Sequence, residues 1–395
     1  MASDALERKF GILTLDAISP RGLLRFPPER YQVGDTIAQP DAILLRSHDL
    51  HNMSIPSSLL AVARAGAGVN NIPIAKLDEL GVAVFNTPGA NANAVKELVI
   101  AAMLVAARNL CAAWKYAAAL SDDEGTIVRR VEQEKKRFSG FELANKTLGV
   151  VGLGAVGVKV ANAAAELGME VIGYDPAITV ERAWQLSSRV RQAGGLEEVL
   201  RAPDFLSLHV PLLESTRQLM DAKRIALLKQ GSVLLNFSRP EVVDAKAVST
   251  ALQANRLHAY VSDFPLPELQ GQPKAITFPH LGASTVEAEE NCAIMAAEQL
   301  RDYLENGNVR QSVNFPDIRL ERSGVSRLAV INRNVPDRLG RISHYLGQAG
   351  VNILHLVNES KGNLACTLVD VDAPIDTTVV DTIAAIEGVL RVRVL

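Results

Sequence analysis

Short apolar runs alternate with stretches of helical period through most of this chain. Ile12 to Leu15, Ala42 to Leu45, Ala61 to Ala63 and Val82 to Phe85 are four to three residues long and almost wholly apolar. That pattern predicts the buried strands of a parallel α/β domain. Polar residues follow the runs: Arg46-Ser47, Arg64-Ala-Gly-Ala-Gly68 and Asn86-Thr-Pro88. Ligands of open α/β sheets sit at those carboxyl ends. Asn91 to Leu120 reads as one long alanine-rich helix, and the charged stretch Asp122 to Arg137 as a solvated helix face.

The rhythm then repeats. Leu148 to Val151, Val171 to Tyr174, Phe205 to Val210, Ser232 to Asn236, His258 to Ser262 and Ile276 to Phe278 are further strands. Five or more parallel strands with crossover helices make a doubly wound sheet. A helix from Thr285 to Asn306 leads away from it. From Arg327 the order changes to strand (Leu328 to Ile331), helix (Leu339 to Ala349), strand (Val351 to Val357), strand (Leu364 to Val371), helix (Thr377 to Ile386) and strand (Val389 to Val394). This βαββαβ order is the ferredoxin-like split unit, and it lacks a glycine-rich turn or an acid–base pair.

Between the first strand of the doubly wound part and its helix stand Gly152, Gly154 and Gly157, spaced G-x-G-x-x-G. Such a turn brings a pyrophosphate to the N–H groups of a helix N-terminus. Asp175 ends the next strand, where a carboxylate accepts bonds from the adenosine ribose hydroxyls and repels a 2′-phosphate. A purely structural βαβ turn would need neither feature.

Composition narrows the class. The chain has 395 residues, 48% hydrophobic and 22% charged, with a formal net charge of −3. That means two or three soluble domains, with no basic block to recruit nucleic acid or a membrane surface. Cys111, Cys292 and Cys366 are widely spaced, which fits reduced thiols and no disulfide frame or metal motif. The first nine residues lack the apolar core of a signal peptide, and the apolar run Leu98 to Ala107 is about half a membrane span. A cytoplasmic protein without a metal is expected.

Given a nicotinamide, the site needs a group to exchange a hydroxyl proton and a cation to orient a carboxylate and polarise a carbonyl. Arg239, Glu268 and His280 stand at strand ends of the nucleotide domain. Histidine exchanges a proton near neutral pH, a neighbouring carboxylate fixes its tautomer, and arginine offers a planar fork. His209 also ends a strand but reads as structural.

Val151-Gly-Leu-Gly-Ala-Val-Gly157, Gly173-Tyr-Asp-Pro176, His209-Val-Pro-Leu212, Asn236-Phe-Ser-Arg239 and Pro279-His-Leu-Gly-Ala-Ser-Thr285 together resemble the D-isomer-specific 2-hydroxyacid dehydrogenases. Arg46-Ser47, Arg64-Ala-Gly-Ala-Gly-Val69, Asn86-Thr-Pro88 and Phe138-Ser-Gly-Phe-Glu-Leu143 sharpen the resemblance to members that oxidise 3-phosphoglycerate with NAD, and the last seventy residues resemble an ACT regulatory module. The resemblance implies a flavodoxin-like substrate domain (1–95 and 286–315), a Rossmann-like NAD domain (96–285) and the ACT module (325–395). It places the catalytic arginine, glutamate and histidine on Arg239, Glu268 and His280. It puts Gly152, Gly154, Ala155, Val156 and Gly157 under the pyrophosphate and Asp175 on the ribose. Ala67, Val210, Phe237, Ser238, Asp263, Gly282 and Ala283 complete the cofactor surface. Substrate contacts fall on Arg46, Ser47 and Gly66 besides Arg239 and His280, and effector contacts on Asn332, Asn334 and Asn352.

Three departures stand out. Pro240 follows the arginine where the family has glycine, and Ser262-Asp-Phe-Pro-Leu-Pro-Glu268 is an altered form of the family's glutamate loop. Asn332 replaces a histidine of serine-inhibited members. The resemblance implies a homo-oligomer, dimer or tetramer, with serine as a candidate effector. Other expectations remain open: a hydroxypyruvate or glyoxylate reductase of the same family, or an NAD-responsive regulatory protein.

Overall fold

Strands covered on both faces have no reason to alternate polar and apolar residues, and the apolar runs occupy that environment. The computed structural model describes residues 8–395, so the chain's start, read above for a signal peptide, lies outside the described residues. Five parallel strands come first: β1 (Phe10–Thr14), β2 (Tyr31–Gly34), β3 (Ala42–Leu45), β4 (Ala61–Arg64) and β5 (Ala83–Phe85). Their order, β2-β1-β3-β4-β5, is that of flavodoxin. Every residue of β3 and β5 is buried.

The second sheet holds seven parallel strands: β6 (Thr147–Val151), β7 (Glu170–Tyr174), β8 (Val190–Gln192), β9 (Phe205–Leu208), β10 (Ser232–Asn236), β11 (Leu257–Ser262) and β12 (Ala275–Thr277). The order β12-β11-β10-β9-β6-β7-β8 is the doubly wound Rossmann order with one added edge strand. β2 and β8 were not expected from the sequence. Both are short edge strands (Tyr-Gln-Val-Gly and Val-Arg-Gln) with one face open, so neither carries an apolar run.

The third sheet is antiparallel, with β13 (Ser326–Arg333), β14 (Ile353–Lys361), β15 (Leu364–Val371) and β16 (Val389–Val394) in the order β14-β15-β13-β16. Helices Arg338–Gln348 and Thr377–Ala384 complete the split βαβ unit. The chain divides into two compact units, Met1–Ala90 with Glu289–Leu395, and Asn91–Ala288. The long helix Val286–Asn306 carries the chain from one to the other.

The single helix expected from Asn91 to Leu120 is instead two, Ala92–Ala107 and Leu110–Ala118, bent by 70°. Asn109 takes a left-handed conformation (φ 50°), which asparagine tolerates. The N–H of Phe141 reaches the carbonyl of Ala107 (2.9 Å) and so takes the acceptor that a continuous helix would offer to the N–H of Cys111. No single helix among the described residues is long and apolar enough to cross a membrane. The charged stretch forms helix Glu124–Glu134 with no buried residue, and Lys135 and Arg137 pair with Glu132 and Glu134 of the same segment.

An antiparallel sheet with helices on one face usually leaves the other to water. Here both faces of β13 and β15 are covered. Leu328, Val330, Val369 and Val371 pack on Ile342, Leu346 and Ile383 of the helices. Ala329, Ile331, Cys366 and Leu368 join a core with Phe85, Tyr303, Leu304 and Phe315 of the first α/β layer. Arg327 and Asp370, both fully buried, form a two-pronged pair (2.5 and 2.8 Å). Arg327 Nη1 also donates to the carbonyls of Asn306 and Leu320 (3.0 and 2.8 Å), so it closes the end of the long helix. Arg393 lies 4.4 Å over the Tyr303 ring, and Arg391 donates to the carbonyls of Leu80 and Ser57.

Burial alone would raise the Asp370 pKa, but the bonds from Arg327 and Ser323 outweigh it and hold the carboxyl below the usual aspartate value. A depressed carboxyl contributes stability that is present at neutral pH and is lost as pH falls through the folded-state pKa. Asp370→Ala leaves Arg327 buried without its counter-charge and should cost about 3–5 kcal/mol. Urea unfolding at neutral pH measures this, and the cost should shrink on acidification.

Candidate active site

All seven strands of the second sheet point the same way, so their carboxyl ends form one edge. In order across it come His280 just past β12, Asp263 after β11, Arg239 after β10, Val210 after β9, the glycine turn after β6 and Asp175 after β7. At about 4.8 Å per strand, the four steps from β7 to β11 cover roughly 19 Å.

Gly152 has φ 92°, and a Cβ there would lie 2.5 Å from the His209 carbonyl oxygen. A Cβ on Gly157 would lie 1.9 Å from the carbonyl oxygen of Gly152, so the helix Ala155–Glu166 approaches the turn more closely than any side chain permits. Gly154 is different, because nothing lies within 4 Å of its Cβ position. Open space in front of a helix N-terminus is where phosphate oxygens would be received. Asp175 accepts from the N–H groups of Leu153 (2.8 Å) and Ala177 (2.9 Å), one on each oxygen, which ties the acid expected at the ribose to the turn. A cavity of about 490 Å³ lined by Leu153, Tyr174, Ile178, Leu186 and Arg191 opens beside it.

At the other end, buried Asn236 shapes the loop after β10. Its oxygen accepts from the Ser238 N–H and hydroxyl, and its Nδ2 donates to the Arg239 carbonyl (2.9 Å). Arg239 is extended (φ −147°), as the residue before a proline prefers, and Pro240 opens a 3₁₀ turn Pro240–Val242. The unusual proline therefore fits the observed backbone. The exposed guanidinium of Arg239 donates to the Ser238 carbonyl (2.7 Å) and leaves its other N–H groups available.

His280 has φ 50°, and its ring packs 5.1 Å from Phe264. Asp263 holds that turn, with its carbonyl accepting from the His280 N–H (2.8 Å) and its Oδ2 from the Gly282 N–H (2.9 Å). Burial raises the Asp263 pKa, and the Gly282 N–H and the charges of His280 and Arg239 work against that rise. Its Oδ1 is buried without a hydrogen-bond partner among the described residues. An orphaned acceptor between His280 and Arg239 suits the amide N–H of a nicotinamide. The turn, Asp175 and Asp263 thus fit a dinucleotide along the edge, with Phe237 buried and Val210, Ala155, Val156 and Ala283 half-buried along it.

Glu268 is not joined to His280. It is exposed on the 3₁₀ turn Pro267–Leu269, beside a cavity shared with Pro240, Asp244 and Lys246, and no hydrogen bond or ion pair among the described residues links it to the imidazole. Pro265 and Pro267 flank extended Leu266 and lead this altered loop into the 3₁₀ turn Pro267–Leu269. His209 bonds Ser207 Oγ (2.8 Å), and burial pushes its pKa down to about 4, so it stays neutral.

In the other unit, the ends of β1, β3, β4 and β5 converge. Asp16, left-handed at φ 70°, accepts from the N–H groups of Arg46, Ser47 and His48 on a single oxygen (3.2, 2.7 and 2.8 Å). Arg64 Nε donates to the Arg46 carbonyl (2.7 Å), and its guanidinium lies against Gly66 and Gly68. Asn86 donates to the carbonyl of exposed Ala67 (2.6 Å). Arg46 Nη1 meets Glu289 Oε1 at 2.8 Å. Asp16, Arg64 and Glu289 were absent from the expected site. Asp16 and Arg64 had a signal, since each closes a strand, whereas Glu289 looked like one of many acids on a helix.

The asparagines matched to an effector site are not brought together within one chain. Asn332 is buried on β13 with an unpaired Oδ1. Asn334 bonds Gly362, just past β14, whereas Asn352 immediately precedes that strand. Nine residues of strand put roughly 30 Å between those ends.

Residues 100–282 match the family profile described as D-isomer specific 2-hydroxyacid dehydrogenase, NAD binding domain. The chain is 33% identical over 349 residues to a D-3-phosphoglycerate dehydrogenase of Haemophilus influenzae, covering 85% of this chain and 81% of that protein. It is 34% identical over 305 residues to the D-3-phosphoglycerate dehydrogenase of Methanocaldococcus jannaschii, covering 76% of this chain and 55% of that protein. The crystal structure of NAD⁺-bound 3-phosphoglycerate dehydrogenase from Entamoeba histolytica is similar in fold, with a TM-score of 0.61 at 24% identity over 78% of this chain and 99% of that one.

The glycines separate folding from cofactor binding. Gly154→Ala should leave the melting temperature unchanged but weaken NADH binding at least about tenfold, because its methyl enters the space kept for phosphate. Gly157→Ala should lower the melting temperature as well. Fluorescence titration with NADH beside thermal unfolding distinguishes the two.

Proposed function

The chain belongs to the D-isomer-specific 2-hydroxyacid dehydrogenases, NAD-dependent enzymes, and within that family we propose that it oxidises 3-phosphoglycerate to 3-phosphooxypyruvate, the entry step of serine synthesis. The observation that carries this reading is the shared edge of Arg239, Asp263 and His280 with the glycine turn and Asp175, in a chain alike over most of its length to curated D-3-phosphoglycerate dehydrogenases.

When bound, NAD supplies the acceptor for the hydride leaving substrate C2. His280 removes the proton of the C2 hydroxyl, a task for which an exposed imidazole near neutral pH is suited. Arg239 grips the carboxylate with its free N–H groups and stabilises negative charge growing on the C2 oxygen. Asp263 orients the His280 turn through its carbonyl and Oδ2. Glu268 is the carboxylate matched to the imidazole's partner, and in that role the turn Pro267–Leu269 must move toward His280 during the cycle. Arg46, with Ser47 and Gly66 beside it, receives the substrate's phosphate.

The protein acts as a cytoplasmic homo-oligomer. Helices Leu110–Ala118 and Glu124–Glu134 bury no residue and expose Leu110, Trp114, Val128 and Val131, an apolar surface suited to a second copy. Serine as an effector would need such a copy too, since Asn334 and Asn352 of one chain lie at opposite ends of β14.

A second reading, a hydroxypyruvate or glyoxylate reductase, is favoured by one observation: Glu289 already neutralises Arg46. Specificity constants for 3-phosphoglycerate, glyoxylate and hydroxypyruvate decide between them. On the primary reading 3-phosphoglycerate has the highest value, and Arg46→Ala raises KM for it alone. His280→Ala should cut kcat by roughly 10²–10⁴ while NADH binding persists. Full activity in that variant would remove His280 from the chemistry.

A further inference from the structure

Two carboxylates of the chain occupy the positions around Arg46 where a substrate anion would be held, and they are held differently. Asp16 is fixed. Burial would raise its pKa, but the three N–H bonds from Arg46, Ser47 and His48 outweigh this and hold it below the usual aspartate value. Glu289 is tied by a single ion pair, with 46% of its side chain exposed, on the first turn of helix Val286–Asn306. One turn further, Cys292 lies buried beside Thr87 within the fields of Arg46, Arg64 and Glu289, and burial raises its pKa, so the thiol adds no charge. Arg46 and Arg64 on one side and Asp16 and Glu289 on the other cancel formally.

We propose that Glu289 is a specificity-determining residue, which sets the affinity of the Arg46 site for the charged group that the substrate carries away from C2. The proposal rests on the 3-phosphoglycerate reading. A distal anion must take Arg46 from Glu289 and sit beside its negative charge. The penalty grows with the charge of that group and vanishes for an uncharged one. The pair thus grades 2-hydroxy acids by their distal charge, a job that neither Arg239 nor His280 performs.

Glu289→Gln keeps the shape and an oxygen for Arg46 while removing the charge. For 3-phosphoglycerate, KM should fall about fivefold, the measure of an exposed ion pair, and kcat should change less than KM. For D-glycerate, which differs only by lacking the phosphate, KM should stay within about twofold, and the gain for 3-phosphoglycerate should fade at high ionic strength. Equal shifts for both substrates, or a raised KM for 3-phosphoglycerate, would overturn the proposal. Should the native enzyme not oxidise 3-phosphoglycerate, the substrate reading fails by itself. Glu289 is then judged by inorganic phosphate as an inhibitor of whichever 2-hydroxy acid is turned over. A Ki about fivefold lower in Glu289→Gln supports the role, and an unchanged Ki refutes it.

Discussion

The carbonyl of Gly152 and the backbone of Gly157 approach so closely that a methyl on the latter would sit at 1.9 Å. That approach aims the N-terminus of helix Ala155–Glu166 at the open space over Gly154 and brings Leu153 within reach of Asp175. Everything along the carboxyl edge of the second sheet takes its meaning from it. Parallel strands end side by side, so a turn that receives a pyrophosphate at β6 fixes how far a dinucleotide extends toward β11. The orphaned Oδ1 of Asp263 lies within that reach. The edge is a consequence of winding, and the chemistry is a consequence of what the chain places at its strand ends.

The first unit follows the same rule with another outcome. Its strand ends gather Arg46 and Arg64: Glu289 pairs with the Arg46 guanidinium, Arg64 Nε donates to the Arg46 carbonyl, and Asp16 holds the backbone N–H groups of Arg46 to His48. Its C-terminal sheet is covered on both faces and bound through Arg327, Arg391 and Arg393 to the long helix and the first α/β layer. That sheet is part of the unit's core. Through Arg327 and Arg393 it is bonded to the last turn of the helix whose first turn carries Glu289.

Buried elements were legible in the sequence because burial leaves an apolar run. β10, β15 and β16 match their expected ranges, and the flavodoxin-like, Rossmann-like and split βαβ orders all appear. Edge strands β2 and β8 were not legible, since half-solvated residues leave no such run. The bend at Asn109 escaped because it depends on Phe141, over thirty residues later in the chain, taking the Ala107 carbonyl. The places of Arg239 and His280 just past apolar strands were readable, and the structure puts both on the carboxyl edge of the second sheet. The separation of Glu268 from His280 was not readable, because it depends on the path of a loop stiffened by two prolines. Asp263 as the residue holding the His280 turn was visible only in three dimensions.

The central claim is that this edge moves a hydride from C2 of a D-2-hydroxy acid while His280 takes the hydroxyl proton. It is tested most directly by turnover of 3-phosphoglycerate deuterated at C2. The account predicts deuterium in the NADH formed and a primary isotope effect on kcat/KM that grows when His280 is replaced by asparagine. Unlabelled NADH, or no reduction of NAD at all, would contradict it.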